Sequence, residues 1–229
     1  MAFRRNIEDK LKAWSQSPFR KPLVLRGARQ VGKTTAVKQF AVNYEQFVYL
    51  NLETDDAKSF EGERDIHKIV DRIFFLKDAE KGKADTLIFI DEIQEVPSAL
   101  NMLRYFYEEY PEYHVIAAGS LLESLFDRDV SFPVGRVDYL YMYPFSFDEF
   151  LEALDEKNVL SAYRQVPVPD YAVDKLMQLF HTYTLVGGMP EAVYRYVVTK
   201  DLAQVKPVYD TLLLSYLDDV EKYATTTNQ

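Results

Sequence analysis

The segment 25–40, LRGARQVGKTTAVKQF, limits what this chain can fold into more than any other. It fits the pattern G-x-x-x-x-G-K-[ST] through Gly27, Gly32, Lys33 and Thr34. Glycines let the backbone wrap so that successive N–H groups face one anion. A helix that begins here directs the positive end of its dipole at the same point. The pattern therefore predicts a phosphate-binding loop between a strand and a helix.

The neighbours of this loop and its own side chains support that prediction. KPLVL before the loop is an apolar run typical of a buried strand, and TTAVKQFAV after it has helical character. Lys33 is expected to reach the outer phosphates of a nucleotide, and the Thr34 hydroxyl to bind Mg²⁺. Arg29 either adds positive charge near the phosphates or pairs with an acidic neighbour. The residues assigned to the nucleotide are Gly27, Ala28, Arg29, Gln30, Val31, Gly32, Lys33, Thr34 and Thr35.

Four more apolar runs predict strands that alternate with helices before Phe150. Strands in this arrangement form a parallel sheet covered on both faces, and ligands bind at the carboxyl ends of the strands. The predicted fold is therefore α/β, a P-loop NTPase with a five-stranded parallel sheet between helices, followed by a small helical subdomain. The four runs are FVYLNLE (47–53), TLIFIDEIQ (86–94), HVIAAGS (114–120) and RVDYLYMYP (136–144).

The chain is predicted to form two parts. Residues 1–150 make the nucleotide-binding core. Residues 151–229 make the helical subdomain, because the apolar runs there have helical spacing and turns at QVPVPD and GGMP separate them. An N-terminal amphipathic helix is predicted to pack on the core through Phe3, Ile7, Leu11 and Trp14.

Asp91 and Glu92 end the buried run LIFIDE and are the candidates for the chemistry. Acidic residues at the carboxyl tip of a strand face the nucleotide if that strand lies beside the first one. Asp91 is then expected to hold Mg²⁺ through water, and Glu92 to orient and deprotonate the attacking water.

Two further polar residues each have two interpretations. Ser120 follows the run HVIAAG, where it would contact the γ-phosphate or the water, or cap a following helix. Arg136 lies beside a glycine between apolar runs. It would act as an arginine finger, in cis or in trans, or form a structural ion pair.

Composition excludes several classes of site. The chain has no cysteine, so it has no disulfide and no thiolate metal site, which is in keeping with a cytoplasmic protein. Its three histidines, His67, His114 and His181, have no ligand spacing. No run is apolar enough for a membrane span.

Charge is unevenly distributed along the 229 residues. Residues 1–40 carry ten Lys/Arg and two Asp/Glu, a net charge of +8, whereas the remainder carries 17 against 34, a net charge of −17. The acidic bulk argues against sequence-blind nucleic-acid binding by the whole surface. The basic N-terminal segment suits a phosphate ligand. Its positive charges either contact nucleic acid or form a solvated face of a helix.

The motifs LRGARQVGKTT, LIFIDEIQ, VIAAGSLL, VGRVDYLYMYPFSFDEF and GGMPEAV follow one another in this chain. In that order they resemble a family of uncharacterised prokaryotic AAA+/STAND-type ATPases that carry a C-terminal domain of unknown function. The resemblance implies ATP binding and the strand order 5-1-4-3-2. It also implies that Gly188, Met189 and Pro190 match a Gly-x-Pro motif in which the proline lies against the nucleotide base. The alternative for GGMP is a helix-breaking turn.

The resemblance also implies a longer protein. Family members continue after the region that ends SYLDDVEKY, so this chain is expected to be truncated before that domain. A homo-oligomer or a protein partner is expected to engage through the missing part.

The predicted activity is Mg²⁺-dependent hydrolysis of ATP that drives or gates a conformational change. One alternative is a switch that binds ATP and turns it over very slowly. Another is a regulatory ATPase associated with nucleic acid, which only the basic N-terminal segment supports. A GTPase is disfavoured, because the chain has neither a D-x-x-G switch nor an N/T-K-x-D guanine reader.

Overall fold

The sheet has the predicted number and direction of strands. The computed structural model describes residues 3–60, 62–63, 65–119 and 135–226. Five parallel strands form one sheet in the order β2-β3-β4-β1-β5. This confirms the five-stranded parallel sheet and the order 5-1-4-3-2. The strands are β1 (Leu23–Arg26), β2 (Gln46–Asn51), β3 (Thr86–Asp91), β4 (His114–Ala118) and β5 (Asp138–Tyr141).

Four helices cover the two faces of this sheet. The first two pack on one face, in the apolar cluster that contains Leu23, Leu25 and Phe89. The other two pack on the opposite face, in the cluster that contains Val24 and Ile88. β3 is buried along its whole length, which is why its sequence is continuously apolar rather than alternating. The helices are α1 (Asn6–Ser15), α2 (Lys33–Phe40), α3 (Ile66–Leu76) and α4 (Pro97–Glu109).

The chain divides into two compact units. The sheet unit is Arg5–Tyr143, and the helical unit is Met1–Arg4 with Pro144–Gln229. The boundary lies after Tyr143 rather than after Phe150, because α5 packs with the helices that follow it. These helices are α5 (Phe147–Ala153), α6 (Lys157–Tyr163), α7 (Asp170–Val186), α8 (Pro190–Thr199) and α9 (Lys206–Thr226). No helix in the described part of the chain is long and apolar enough to cross a membrane.

Two of the sequence motifs form one packing arrangement inside the helical unit. The Phe145 N–H donates to the Gly188 carbonyl at 2.7 Å, and the Tyr183 hydroxyl donates to the Phe145 carbonyl at 2.7 Å. A Cβ at position 188 would lie 2.6 Å from the same Phe145 oxygen, so only glycine permits this approach. The segments PFSFDEF and GGMPEAV therefore depend on each other for packing.

The N-terminal helix packs on the sheet as predicted, but its apolar face is shorter. Ile7, Leu11 and Trp14 are buried in α1. Phe3 precedes the helix and packs edge-on against Phe145 and Tyr194 in the helical unit. The prediction that Phe3 belongs to the same face was wrong, because residue spacing alone does not show where a helix begins.

Leu11→Ala should destabilise the sheet unit. Leu11 is fully buried among α1, α2 and the sheet, and truncation of such a side chain costs about 2–5 kcal/mol through lost burial and the cavity left behind. The free energy of unfolding in urea measures this, with the exposed Lys10→Ala as the matched control on the same helix. Equal unfolding free energies for the two variants would contradict the packing of α1.

Candidate active site

The loop after β1 is shaped by a close approach to the end of β5. Gly27 has a φ of 151°, and a Cβ there would lie 2.3 Å from the Met142 carbonyl oxygen. Gly32 takes the left-handed conformation, with a φ of 97°, and is the N-cap residue directly before α2. Val31 between them is fully buried and anchors the loop to the core. Both glycines of the pattern are therefore required by the backbone.

Lys33 lies over this loop instead of extending into solvent. Its side chain is 7% exposed, and Nζ donates to the carbonyls of Gly27 at 2.8 Å and Ala28 at 2.9 Å. The first residue of α2 thus places a positive charge beside the helix N-terminus. Both features favour an anion at the same point.

Thr34 joins the loop to the end of β3. Its hydroxyl donates to Asp91 Oδ2 at 2.8 Å. The sequence analysis expected the acidic residues to face the nucleotide if β3 lies beside β1. That condition is not met, because β4 lies between the two strands. The contact forms because α2 runs in the connection from β1 to β2, and β2 lies beyond β3.

Asp91 is a buried carboxylate held by three donors. It is 3% exposed. Besides Thr34, the Tyr49 hydroxyl donates to Oδ2 at 3.3 Å and the Glu92 N–H donates to Oδ1 at 3.2 Å. Burial raises the pKa of Asp91 above its ordinary value, and the hydrogen bond from Thr34 opposes that shift.

The oxygen atoms at this point fit Mg²⁺. A hydroxyl and a carboxylate 2.8 Å apart are hard ligands, and Mg²⁺ usually takes one or two carboxylates and completes its shell with water and phosphate. No group of three or more His, Cys, Asp or Glu side chains in the described residues could hold a metal as a protein cage. Thr34 and Asp91 would hold the ion, which would neutralise charge on the phosphates.

Glu92 lies where the strand turns. Its backbone has φ 51° and ψ 46°, the left-handed conformation, and a 3-10 turn over Ile93–Glu95 follows. On a regular strand the side chains of Asp91 and Glu92 would face opposite ways. The backbone of Glu92 leaves the strand conformation, so the two adjacent side chains do not follow the alternation of a regular strand.

Comparison with known proteins agrees with this geometry. The family model of the AAA domain matches residues 19–151, which is 133 of the 229 residues. The chain belongs to the AAA domain family. It therefore carries an AAA-type ATPase domain whose matched range contains the loop, Thr34, Asp91 and Glu92.

Solved structures show the same fold as this AAA domain. The Walker-type ATPase PABY2304 of Pyrococcus abyssi superposes with a TM-score of 0.62 at 18% identity, over 98% of this chain and 77% of that one. The structure of C. elegans PCH-2 superposes with a TM-score of 0.53 at 15% identity, over 90% of this chain and 69% of that one. No curated protein sequence matches the chain.

Arg136 of the AAA domain pairs with Glu108 far from the loop. Its Nε lies 3.3 Å from Glu108 Oε1, and both side chains are partly exposed. Arg136 precedes β5, whereas the phosphate loop follows the opposite, carboxyl end of β1. Because a strand rises about 3.3 Å per residue, the two positions are separated by about 16 Å along the sheet. Arg136 thus forms the ion pair that was one of its two interpretations. Its role as an arginine finger stays a prediction.

The other predicted site residues have different outcomes. Ser120 lies outside the described residues. Pro190 is the first residue of α8 in the helical unit, a position that suits proline because its missing N–H would have no helical partner. Its contact with a nucleotide base stays a prediction. Ala28, Arg29, Gln30 and Thr35 are exposed along the loop and the first turn of α2.

Arg29 has an acidic neighbour. Burial and the charges of Glu92 and Glu95 raise the pKa of Glu53, and the positive charge of Arg29 acts against them. Glu53, near the end of β2, is therefore the acidic side chain whose charge Arg29 opposes.

Three residues at this site were not found from the sequence. Tyr49 of β2 contacts Asp91, stacks on Phe89 with ring centroids 5.5 Å apart, and has a pKa raised to about 12, first by burial and then by Asp91. The buried Arg5 side chain donates to the carbonyls of Val31 at 3.3 Å and Tyr143 at 2.8 Å, which supports the loop from behind. Gln94 contacts Glu92. No local pattern marks them, because each acts through a tertiary contact or a turn.

Tyr49→Phe should weaken Mg²⁺-dependent nucleotide binding roughly fivefold, because Asp91 loses one hydrogen-bond donor while the ring packing is retained. Titration of a fluorescent ATP analogue at several Mg²⁺ concentrations measures this. Tyr107→Phe, which removes a hydroxyl from α4, is the control. An unchanged Mg²⁺ dependence in Tyr49→Phe would show that the contact has no part in metal binding.

Proposed function

We propose that this AAA domain binds ATP with Mg²⁺ and hydrolyses it to ADP and phosphate. The observation that carries the proposal is the 2.8 Å contact of the Thr34 hydroxyl with Asp91 Oδ2. It places the loop that fits phosphates and the carboxylate that fits Mg²⁺ at one point. Glu92 is turned beside it by its left-handed backbone.

The positive charge of the loop has a defined part in this reaction. Lys33 and the N–H groups at the start of α2 bind the outer phosphates and stabilise the negative charge that develops as the terminal phosphoryl group is transferred. Val31 and Arg5 keep the loop in shape. Asp91 and Thr34 would hold Mg²⁺, which would supply positive charge against the phosphate oxygens.

Glu92 is proposed as the general base. Its carboxylate takes the proton from the attacking water, the water oxygen forms the new bond to the γ-phosphorus, and ADP leaves with the electrons of the broken phosphorus–oxygen bond. Asp91, in contrast, is held by Thr34, Tyr49 and the Glu92 N–H, so its oxygens are committed to position and metal binding.

Coupling of hydrolysis to a conformational change is part of the proposal. Pro190 of the helical unit is proposed to contact the nucleotide base. A homo-oligomer or a protein partner also stays a prediction. The cytoplasm is the predicted location.

The nucleic-acid alternative loses part of its basis. Of the basic residues before position 41, Arg5 and Lys33 are buried and bound to backbone carbonyls, and the Arg26 guanidinium stacks over the Tyr139 ring at 4.6 Å. The +8 of that segment is therefore not one open basic surface. A slow ATP-controlled switch remains the second candidate, because the same site serves both, and the rate of turnover separates them.

Glu92→Gln should separate binding from chemistry. The variant keeps the size of the side chain and loses the basicity of the carboxylate, so turnover should fall about 10²- to 10⁴-fold while ATP affinity holds. Glu95→Gln, the same change at an exposed position three residues away, should retain turnover. Steady-state phosphate release and calorimetry provide the two readouts, and full activity in Glu92→Gln would disprove the assignment of the base.

Lys33→Ala should abolish tight nucleotide binding, which calorimetry measures.

Arg136→Ala should leave turnover unchanged, because Arg136 is paired with Glu108 away from the loop. Glu108→Ala should behave like it, since both variants break the same exposed pair. A finger in trans would give the opposite result, a drop on the order of 10³-fold, and partial recovery on mixing with the Glu92→Gln protein. That recovery would contradict the ion-pair assignment.

A further inference from the structure

The turn after β3 holds an unusual glutamine. Gln94 is 7% exposed, and its Nε2 donates to Glu92 Oε2 at 2.6 Å. Its other polar atom, Oε1, is buried and has no hydrogen-bond partner in the described part of the chain. The opposite placement of the two amide atoms would bring Oε1 against the carboxylate oxygen, so the donor orientation is the one that chemistry permits.

An amide arranged in this way is costly in its own right. A buried acceptor without a partner loses its hydration and gains nothing in exchange. An apolar side chain of similar size would fill the same space without that cost. Packing alone therefore does not explain the glutamine at position 94.

The residue that Gln94 contacts is itself under strain. Glu92 has a φ of 51°, which is unfavourable for a residue with a Cβ. The turn has few backbone restraints. The Glu95 N–H donates to the Glu92 carbonyl at 3.0 Å, and the Val96 N–H donates to the Ile93 carbonyl at 3.2 Å. A side chain on such a short turn would rotate away unless another group fixed its direction.

We propose that Gln94 is a positioning residue that holds the Glu92 carboxylate in its working orientation. The proposal rests on the assignment of Glu92 as the general base. Gln94 occupies Oε2 with an amide hydrogen and leaves Oε1 of Glu92 to accept the proton of the water. It fixes one of the two carboxylate oxygens from within the turn and touches neither substrate nor metal.

Gln94→Leu is the decisive substitution, because it keeps the volume and removes both the donor and the partnerless acceptor. Turnover should fall about 10- to 100-fold, since a misplaced base loses much of its effect. ATP affinity should hold, and the melting temperature without nucleotide should hold or rise. Gln39→Leu on α2 is the matched control and should change none of these values. A melting temperature lowered together with turnover would overturn the proposal in favour of a structural role.

A double substitution tests whether Gln94 acts through Glu92. In the Glu92→Gln protein, the addition of Gln94→Leu should cause no further loss of turnover. A further loss as large as in the wild-type background would overturn the proposal. Increased turnover in Gln94→Leu would also overturn it, because Gln94 would then restrain the base instead of positioning it.

Hydrogen exchange gives a readout that does not depend on activity. Gln94→Leu should speed exchange of the Glu95 and Val96 amides several-fold, because the turn loses its side-chain restraint, and leave the β3 amides unchanged. Unchanged exchange in the turn would overturn the proposal. Failure of the proposed function has a different signature: the wild-type chain would not turn over ATP at all, whereas the exchange result would still report on Gln94.

Discussion

The hydrogen bond from the Thr34 hydroxyl to Asp91 Oδ2 joins the two parts of the sheet unit on which the site depends. One part is the loop between β1 and α2, which fits phosphates. The other is the end of β3, which lies two strands away across β4. Only the course of α2 toward β2 brings them together. The strand order is thus a condition for the site, because it places the helix that carries Thr34 across the strand that carries Asp91.

The same turn concentrates features that are costly to the fold. Asp91 is a buried charge whose pKa is raised by burial, Glu92 has a left-handed backbone, and Gln94 has a buried acceptor without a partner among the described residues. Each costs stability where it stands, and the fully buried β3 strand holds them in place. Strain of this kind is expected where function rather than stability selects the residues.

Local patterns predicted the elements that depend on neighbours in sequence. The spacing of Gly27, Gly32 and Lys33 predicted the loop, and the apolar run before Asp91 predicted the buried strand. The reasons for these residues are tertiary. Gly27 is needed because the Met142 carbonyl lies close to it, and the sequence around position 27 does not indicate that contact. The strand order was predicted from the family that the order of the motifs resembles, and not from periodicity.

Errors and omissions arose where a residue acts through distant contacts. Phe3 has helical spacing with Ile7, yet it packs in the helical unit, because α1 begins only at Asn6. The sequence left the two interpretations of Arg136 open, and its position at the amino end of the sheet follows only from the direction of β5. Tyr49 was read only as part of a strand, since its role comes from Asp91 on the neighbouring β3.

Isothermal titration calorimetry of the wild-type chain with a non-hydrolysable ATP analogue, with and without Mg²⁺, tests the central claim most directly. If the loop and the Thr34–Asp91 pair form one nucleotide and metal site, the analogue binds once per chain and its affinity falls when Mg²⁺ is removed. Absence of binding, or an affinity independent of Mg²⁺, would contradict the account.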